Sequence, residues 1–160
     1  MMESSKHVIM MRVDNRPGVL SRIAGLFTRR GYNIDSLVTG PTEDRSVYQM
    51  TITVICESDI IDLLIRQLGR ITDVIDVCCA DGDGYVKSEI MLLRVRCSPQ
   101  TRAAMLMAAD IMKTEIASMD ADSMVLKVTG DDVRCRTVIE AFSEYGIERV
   151  IRSGPVGIGT

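Results

Sequence analysis

At residues 14–22 the sequence reads DNRPGVLSR, a polar loop of Asn, Pro and Gly that opens directly onto an amphipathic segment. The apolar residues before it predict a strand at 7–13, and the apolar spacing after it predicts a helix at 18–30 that ends at Gly31. A helix start leaves backbone N–H groups without helical partners, and the helix dipole makes that end positive. Because such an end attracts a small carboxylate or phosphate, this loop is a candidate ligand site.

The loop also has a plainer interpretation as an ordinary strand-to-helix turn, since Pro and Gly are common turn formers. A second segment, GYNID at residues 31–35, favours the ligand site. If two copies pair side by side, the second strand of one approaches this loop of the other, where the amide of Asn33 supplies both a donor and an acceptor. Val19, Leu20 and Ile34 are then expected to line an apolar pocket that suits a short aliphatic amino acid.

The predicted elements repeat one order twice. In the first half we expect further strands at 32–40, 46–56 and 73–79, with a second helix capped by Ser58. In the second half the expected elements are strands at 90–97, 115–119, 123–129 and 147–151 and helices at 99–113 and 132–145. Each βαββαβ half predicts an antiparallel, ferredoxin-like sheet with both helices on one face.

The sequence therefore predicts an α+β fold of two consecutive ferredoxin-like units. Their expected bounds are 1–80 and 88–160, and the glycine-rich piece at 81–87 is the best linker candidate. Helices that lie on one face leave the other face of each sheet open. In the first unit that face carries apolar residues as well, so a second copy or a partner protein is expected to cover it.

The first helix of the second half illustrates what the pattern predicts in detail. Ser98-Pro99 is typical of a helix start, with Ser as the N-cap and Pro in the first turn. Ala104, Met107, Ala108 and Ile111 fall on one side and predict the face that packs on the sheet. Met107 is accordingly expected to fill the core, as are Met11 and Met50.

Composition narrows the class of protein. A net charge of −3 lacks the basic excess of a nucleic-acid binder. No run of about 18 apolar residues predicts a membrane span, and residues 1–7 lack the apolar core of a signal peptide, so a cytoplasmic location is expected. The five cysteines include no C-x-x-C pair and are interpreted as reduced apolar fillers, with Cys78 and Cys79 on opposite faces of a strand.

The sequence offers no obvious catalytic or metal site. His7 is the single histidine and has no visible partner group, so it is not expected to be a ligand or a base. Asp and Glu are plentiful, but no carboxylate pair accompanies an evident base or phosphate loop. Arg149 and Arg152 are interpreted either as contacts for an acidic patch on a partner or as solvated side chains.

An ordered set of residues resembles a known family. Residues 14–27 and 30–37, with 40–44 and 67–68, are similar to the small regulatory subunit of acetolactate synthase (acetohydroxyacid synthase), and this half resembles an ACT domain. In the second half, residues 89–93, 129–130, 139–142, 146–147 and 152–154 resemble the same family. The likeness covers nearly the whole chain, although the first helix of the second half departs more from the family pattern.

The resemblance implies a non-catalytic subunit that binds valine or another branched-chain amino acid between paired ACT domains. It implies a homodimer that activates a large catalytic subunit and inhibits it when the effector is bound. The large subunit is expected to hold thiamine diphosphate, magnesium and usually FAD, and no cofactor is expected in this chain. The implied effector-site residues are Asn15, Gly18 and Asn33, with Pro17, Val19, Leu20 and Ile34 as neighbours.

The sequence has three alternative functional interpretations. A stand-alone ACT protein that senses an amino acid and regulates a different enzyme is the alternative to a synthase subunit. An enzyme in its own right lacks a recognisable catalytic set. An RNA-binding ferredoxin-like module stacks bases on aromatic side chains of its sheet, whereas this chain has no Trp, two Phe and four Tyr, with both Phe on predicted helices.

Overall fold

The computed structural model describes residues 4–160 and divides them into two units. The first unit extends to Val86 and also includes Gly154–Thr160, and the second unit is Lys87–Ser153. Each unit has the order strand, helix, strand, strand, helix, strand. The predicted fold class of two ferredoxin-like units is confirmed. In the described residues, no helix is long and apolar enough to cross a membrane.

The first unit is a four-stranded antiparallel sheet with two helices. Its elements are β1 (Ser5–Asp14), α1 (Val19–Arg30), β2 (Ile34–Pro41), β3 (Val47–Cys56), α2 (Ser58–Leu68) and β4 (Val74–Cys79). The strand order is β2-β3-β1-β4, so β2 and β4 lie at the sheet edges. Alternate residues of the central strands, such as Ile9 and Ile52, are fully buried and pack with Ile23 and Phe27 of α1. The core residues of β1, Ile9, Met11 and Val13, therefore alternate along the strand with a period of two.

The second unit repeats the arrangement. Its elements are β5 (Tyr85–Arg96), α3 (Arg102–Ile111), β6 (Glu115–Met119), β7 (Ser123–Gly130), α4 (Asp132–Phe142), a 3-10 turn (Ser143–Tyr145) and β8 (Ile147–Arg152). The strand order is β6-β7-β5-β8. Its core is separate and includes Met91, Leu93, Leu126, Val138 and Phe142. Two independent cores explain why the chain divides into two units rather than one.

The start and the inward face of α3 differ from the prediction. The Thr101 N–H donates to Ser98 Oγ at 3.2 Å, so Ser98 begins a turn, and the helix starts at Arg102 with Thr101 as N-cap. Met105 is fully buried, whereas Met107 and Ile111 are 66% and 72% exposed. Residues 103–109 are all apolar, so their spacing does not fix which side of the helix packs on the sheet. The helix is rotated, and Met107 is not a core residue.

The start of α2 also differs from the expected cap. Ser58 is the first helical residue, and Glu57 occupies the N-cap position without a side-chain hydrogen bond to the helix. The apolar side of the helix packs on the core, because Ile61, Leu64 and Leu68 are buried. The predicted helix start is wrong by one residue, and a shift of this size at a helix end does not change which side of the helix packs on the core.

The chain end lies in a different unit from the one expected. A short strand, β9 (Val156–Gly159), pairs with β5, and the Thr160 N–H donates to Gly84 O at 3.0 Å. The division of the chain accordingly places Gly154–Thr160 with the first unit, rather than with 88–160 as expected. The predicted linker at 81–87 also overlaps β5, which begins at Tyr85. A four-residue strand in which two residues are glycine gives too little pattern to be recognised in the sequence.

The sheet face away from the helices of the first unit is partly covered by this tail. Gly154 lies against Ser36 and Val38 of β2. Beside them, Thr53 of β3 is fully buried, and its Oγ1 forms a hydrogen bond with Ser36 Oγ at 2.5 Å. The cover expected from a second copy or a partner protein is therefore supplied here in part by the chain itself.

Candidate functional site

The loop between β1 and α1 is tied to the turn between β2 and β3. The Asn15 N–H donates to Ser46 O at 2.7 Å, and Asn15 Nδ2 donates to Arg45 O at 3.0 Å. These two bonds hold the loop at the end of the sheet where β1 and β2 finish. The side chains of Asn15, Arg16 and Pro17 remain exposed.

Gly18 turns the chain into α1. Its φ of 87° is in the left-handed region, which glycine adopts without steric cost. The Arg22 N–H donates to Gly18 O at 3.0 Å, while no side chain caps the helix and no acidic residue lies in its first turn. The positive end of the α1 dipole therefore has no side-chain cap and no acidic residue in the first turn of the helix.

Arg22, one turn into the helix, is already paired. Its Nε donates to Asp73 Oδ2 at 2.8 Å, and Asp73 has a largely buried side chain. The guanidinium also lies 3.4 Å from the position that a Cβ on Gly18 would take. The guanidinium of Arg22 therefore limits the space beside Gly18, and a side chain at residue 18 would occupy that space.

The seven predicted site residues fall into three environments. Four are exposed around the loop and the helix start: Asn15, Pro17, Gly18 and Leu20. Val19 is 3% exposed and belongs to the core of its own unit, so its side chain does not line a pocket at the surface as expected. Asn33 is exposed just after the end of α1, and Ile34 is half-buried against the core.

Within one protomer, Asn33 is far from the loop. Asn33 follows α1, whose 12 residues span about 18 Å from Gly18 to Gly31. The strand register gives the same answer, because Ile34 pairs with Val54 and Asp14 pairs with Val47. Seven residues of extended chain are about 24 Å long, so the two segments lie at opposite ends of the sheet.

Two surface pockets lie elsewhere. One, of about 610 Å³, is in the first unit and is lined by Arg22, Arg29, Arg70, Ile71, Thr72 and Asp73. The other, of about 370 Å³, is in the second unit and is lined by residues of α3, α4 and the turns beside them. Neither pocket includes any of the seven predicted residues.

Sequence reasoning missed two side-chain clusters. His7 lies beside Asp81 with Nδ1 and Oδ2 2.6 Å apart, and the thiol of Cys79 is close to both. Arg152 pairs with the buried Glu89 and with Asp132, so it is neither solvated nor free for an acidic patch on a partner. Both clusters join residues more than 60 positions apart, and only the pairing of β1 with β4 and of β5 with β8 brings them together.

The family comparison assigns the first βαββαβ unit to the class of ACT-type domains. Residues 9–76 match the model of the "AHAS small subunit-like ACT domain", and residues 88–160 match the model of the "Small subunit of acetolactate synthase". The two matches together cover most of both units.

Curated relatives agree with these matches. The chain is 36% identical over 153 residues to a probable acetolactate synthase small subunit of Archaeoglobus fulgidus, covering 96% of each chain. It is 30% identical over 152 residues to the acetolactate synthase small subunit of Mycolicibacterium smegmatis, covering 95% of this chain and 89% of the relative. The chain belongs to the acetolactate synthase small-subunit family.

A solved structure has the same fold. The acetolactate synthase small subunit from Thermotoga maritima superposes with a TM-score of 0.83, covers 98% of each chain and is 24% identical in sequence. The likeness extends through both ferredoxin-like units, since nearly the full length is aligned.

Proposed function

We propose that this chain is the non-catalytic regulatory subunit of an acetolactate synthase, and that valine or another branched-chain amino acid binds between its paired ACT domains. The observation that carries the proposal is the start of α1, which has neither a side-chain cap nor an acidic residue in its first turn. Membership of the small-subunit family supports the synthase as the enzyme that is regulated.

The proposed effector site uses the loop in three ways. The Val19 N–H already donates to Arg16 O at 3.4 Å, so the effector carboxylate accepts hydrogen bonds from the backbone N–H groups of Leu20 and Ser21. The Nδ2 group of Asn15 already donates to Arg45 O, and its Oδ1 atom accepts a hydrogen bond from the effector ammonium. Leu20, which is 46% exposed, and Pro17 supply apolar surface for the aliphatic side chain.

The geometry of β2 supports a site completed by a second copy. β2 is an edge strand, so its outer backbone groups are available to pair with another strand. Antiparallel pairing of two β2 strands about a two-fold axis sets the start of one beside the end of the other. Asn33 and Ile34 of the second copy then lie at the end of the sheet where the loop of Asn15 is anchored, which removes the separation of about 24 Å within one protomer.

Regulation follows from this shared site. An effector held by two ACT domains stabilises one relative orientation of the pair, and a coupling of about 1–3 kcal/mol changes a partner's affinity or activity severalfold to about a hundredfold. We assign the chemistry, with thiamine diphosphate, magnesium and FAD, to the large catalytic subunit. The small subunit raises the activity of the large subunit, and it lowers that activity when the branched-chain amino acid accumulates and binds.

Two substitutions test the site in the enzyme reconstituted from this chain and the large subunit. Gly18→Asp places a carboxylate where the effector carboxylate binds, and Asn33→Ala removes the amide supplied by the second copy. We expect both variants to retain the activation of the large subunit and to lose inhibition by valine. Calorimetric titration of each small subunit with valine, leucine and isoleucine measures binding separately from inhibition.

Asp62→Ala is the matched control, because it truncates an exposed polar side chain on α2 of the same unit. It should leave valine inhibition unchanged. Full valine sensitivity in both Gly18→Asp and Asn33→Ala would eliminate this site. If the chain bound valine while the synthase responded neither to the chain nor to valine, it would instead regulate a different enzyme.

A further inference from the structure

A cluster of side chains of the kinds that bind metal ions lies at the start of β1, at the opposite end of the strand from the loop of Asn15 and Gly18. His7, Cys79 and Asp81 each offer one nitrogen, sulfur or oxygen atom, and these atoms all lie within 4.8 Å of one another. His7 is 6% exposed, Cys79 is half-buried and Asp81 is open to solvent on one side. The arrangement combines a buried anchor with access from outside.

The sheet holds the cluster in place. β1 and β4 are antiparallel with Ile9 opposite Cys79, and the Ala80 N–H donates to Val8 O at 2.8 Å. Asp81 therefore follows β4 directly beside His7. The Val8 N–H donates to Asp81 Oδ1 at 2.8 Å, which fixes the carboxylate by a backbone bond and leaves Oδ2 facing the imidazole.

The imidazole of His7 is oriented at both nitrogens. Nδ1 is 2.6 Å from Asp81 Oδ2, and Nε2 is 2.9 Å from Ser5 Oγ. A hydroxyl group both donates and accepts, so Ser5 suits either tautomer of the ring. When Nδ1 binds a metal ion, Nε2–H donates to Ser5 Oγ, which is the outer hydrogen bond that orients most metal-binding histidines.

The donor set selects the kind of ion. One imidazole nitrogen, one thiolate sulfur and one carboxylate oxygen suit Zn²⁺, whereas Ca²⁺ and Mg²⁺ take oxygen ligands. Zinc–ligand distances of about 2.0–2.3 Å place tetrahedral ligand atoms roughly 3.3–3.8 Å apart. Nδ1 and Asp81 Oδ2, which are 2.6 Å apart, reach that spacing when they separate by about 0.7–1.2 Å. The sulfur of Cys79 lies within 4.8 Å of both atoms, so a side-chain adjustment of about 1 Å brings it to the same spacing.

We propose that His7, Cys79 and Asp81 form a Zn²⁺-binding site on the first unit, with water in the fourth position. His7 binds through Nδ1 as a neutral imidazole, and Cys79 binds as a thiolate whose proton passes to solvent. In the metal-free chain, burial and the hydrogen bond to Asp81 raise the pKa of the Cys79 thiol to about 11, so it is a thiol until the ion displaces the proton.

Cobalt reports this geometry directly. Titration of the reduced, full-length chain with Co²⁺ should give a thiolate-to-cobalt band in the near ultraviolet and tetrahedral bands in the visible, saturating at one ion per chain. Zn²⁺ should remove both sets of bands by displacement. Cys79→Ser should abolish the thiolate band, and Asp81→Asn should weaken zinc binding about tenfold or more.

Cys78→Ser is the matched control, because its side chain lies on the opposite face of β4 next to Tyr85. It should retain the cobalt spectrum and the zinc affinity. Asp81 is exposed, so Asp81→Asn remains informative if Cys79→Ser fails to fold. Absence of a thiolate band in the wild-type chain, or a band lost in Cys78→Ser and kept in Cys79→Ser, would overturn the proposal. Valine binding does not depend on this site, so its loss or retention does not bear on the result.

Discussion

Arg152 is the ion-pair partner of Glu89, whose side chain is only 4% exposed in the second unit. Its Nε donates to Glu89 Oε2 at 3.0 Å, and its Nη2 donates to both Glu89 and Asp132. These hydrogen bonds raise the pKa of Arg152 even though burial opposes its charge. The cluster connects the first half of β5 to the end of β8 and to the first turn of α4.

Removing Arg152 should strongly destabilise the second unit. Arg152→Met leaves the buried carboxylate of Glu89 without its partner, and breaking a buried pair in this way costs about 3–5 kcal/mol. The double variant Glu89→Gln with Arg152→Met should recover part of that loss, since no buried charge remains. Urea denaturation of the three proteins measures the free energy of unfolding.

Arg149→Met is the control for the loss of a cation from the same strand. Arg149 is exposed on β8, so its replacement should change the free energy of unfolding by no more than about 0.5 kcal/mol. Equal destabilisation by Arg149→Met and Arg152→Met would contradict the structural role assigned to the cluster.

Helix α1 has one glycine inside it and one at each end, and these three glycines have two kinds of backbone conformation. Gly18 precedes it and Gly31 ends it, and both have positive φ, whereas Gly25 is an interior residue with helical backbone. A Cβ on Gly31 would meet no atom within 4 Å, and one on Gly25 would meet only the end of Arg29 at an ordinary distance. Conformation, and not crowding, therefore decides the effect of alanine at these two positions.

Alanine at these positions should have effects of opposite sign. Gly31→Ala forces a left-handed residue and should destabilise the first unit by about 1 kcal/mol. Gly25→Ala should stabilise it by about 0.5–1 kcal/mol, because alanine loses less entropy than glycine on entering a helix. Thermal unfolding of the two variants beside the wild type gives both shifts, and shifts of the same sign would refute this account of α1.

The chain passes out of the first unit at Val86 and returns to it at Gly154. Gly154 has a φ of 82°, and a Cβ there would lie 2.5 Å from Ser36 Oγ and 2.7 Å from Ser36 Cβ. The tail fits against β2 only because residue 154 has no side chain. The tail is also held at its other end, after β9, where the Thr160 N–H donates to Gly84 O.

Gly154→Ala should therefore destabilise the first unit, because it disturbs the packing of the C-terminal tail on β2. Backbone strain at one such position costs about 1–3 kcal/mol, and the contact with Ser36 also disturbs its hydrogen bond to Thr53. Scanning calorimetry of the full chain should show a lower unfolding temperature. Gly82→Ala, where a Cβ meets no atom within 4 Å and φ is not positive, should not. An unchanged transition in Gly154→Ala would mean that the tail does not stabilise this unit.

The local pattern predicted most of the fold and only part of the candidate site. The alternation in β1 and β3 and the loop before Gly18 are readable because each depends on neighbouring residues. Met107 was misplaced because an all-apolar run leaves the rotation of α3 to packing. The clusters around His7 and Arg152 were missed because strand register joins residues that no local spacing relates.

The amino-acid sequence by itself determined the two βαββαβ units, the helix start that follows DNRPGVLSR and the likeness to a small-subunit family. Periodicity, turn residues and the order of elements along the chain are local properties, so they can be recognised in the sequence alone. Only the tertiary structure decided that Val19 is buried, that Asn33 lies at the other end of the sheet from Asn15, and that the tail belongs with the first unit. Those results depend on which strands pair and in what register, and that is set by the burial of whole faces and not by any short stretch of sequence.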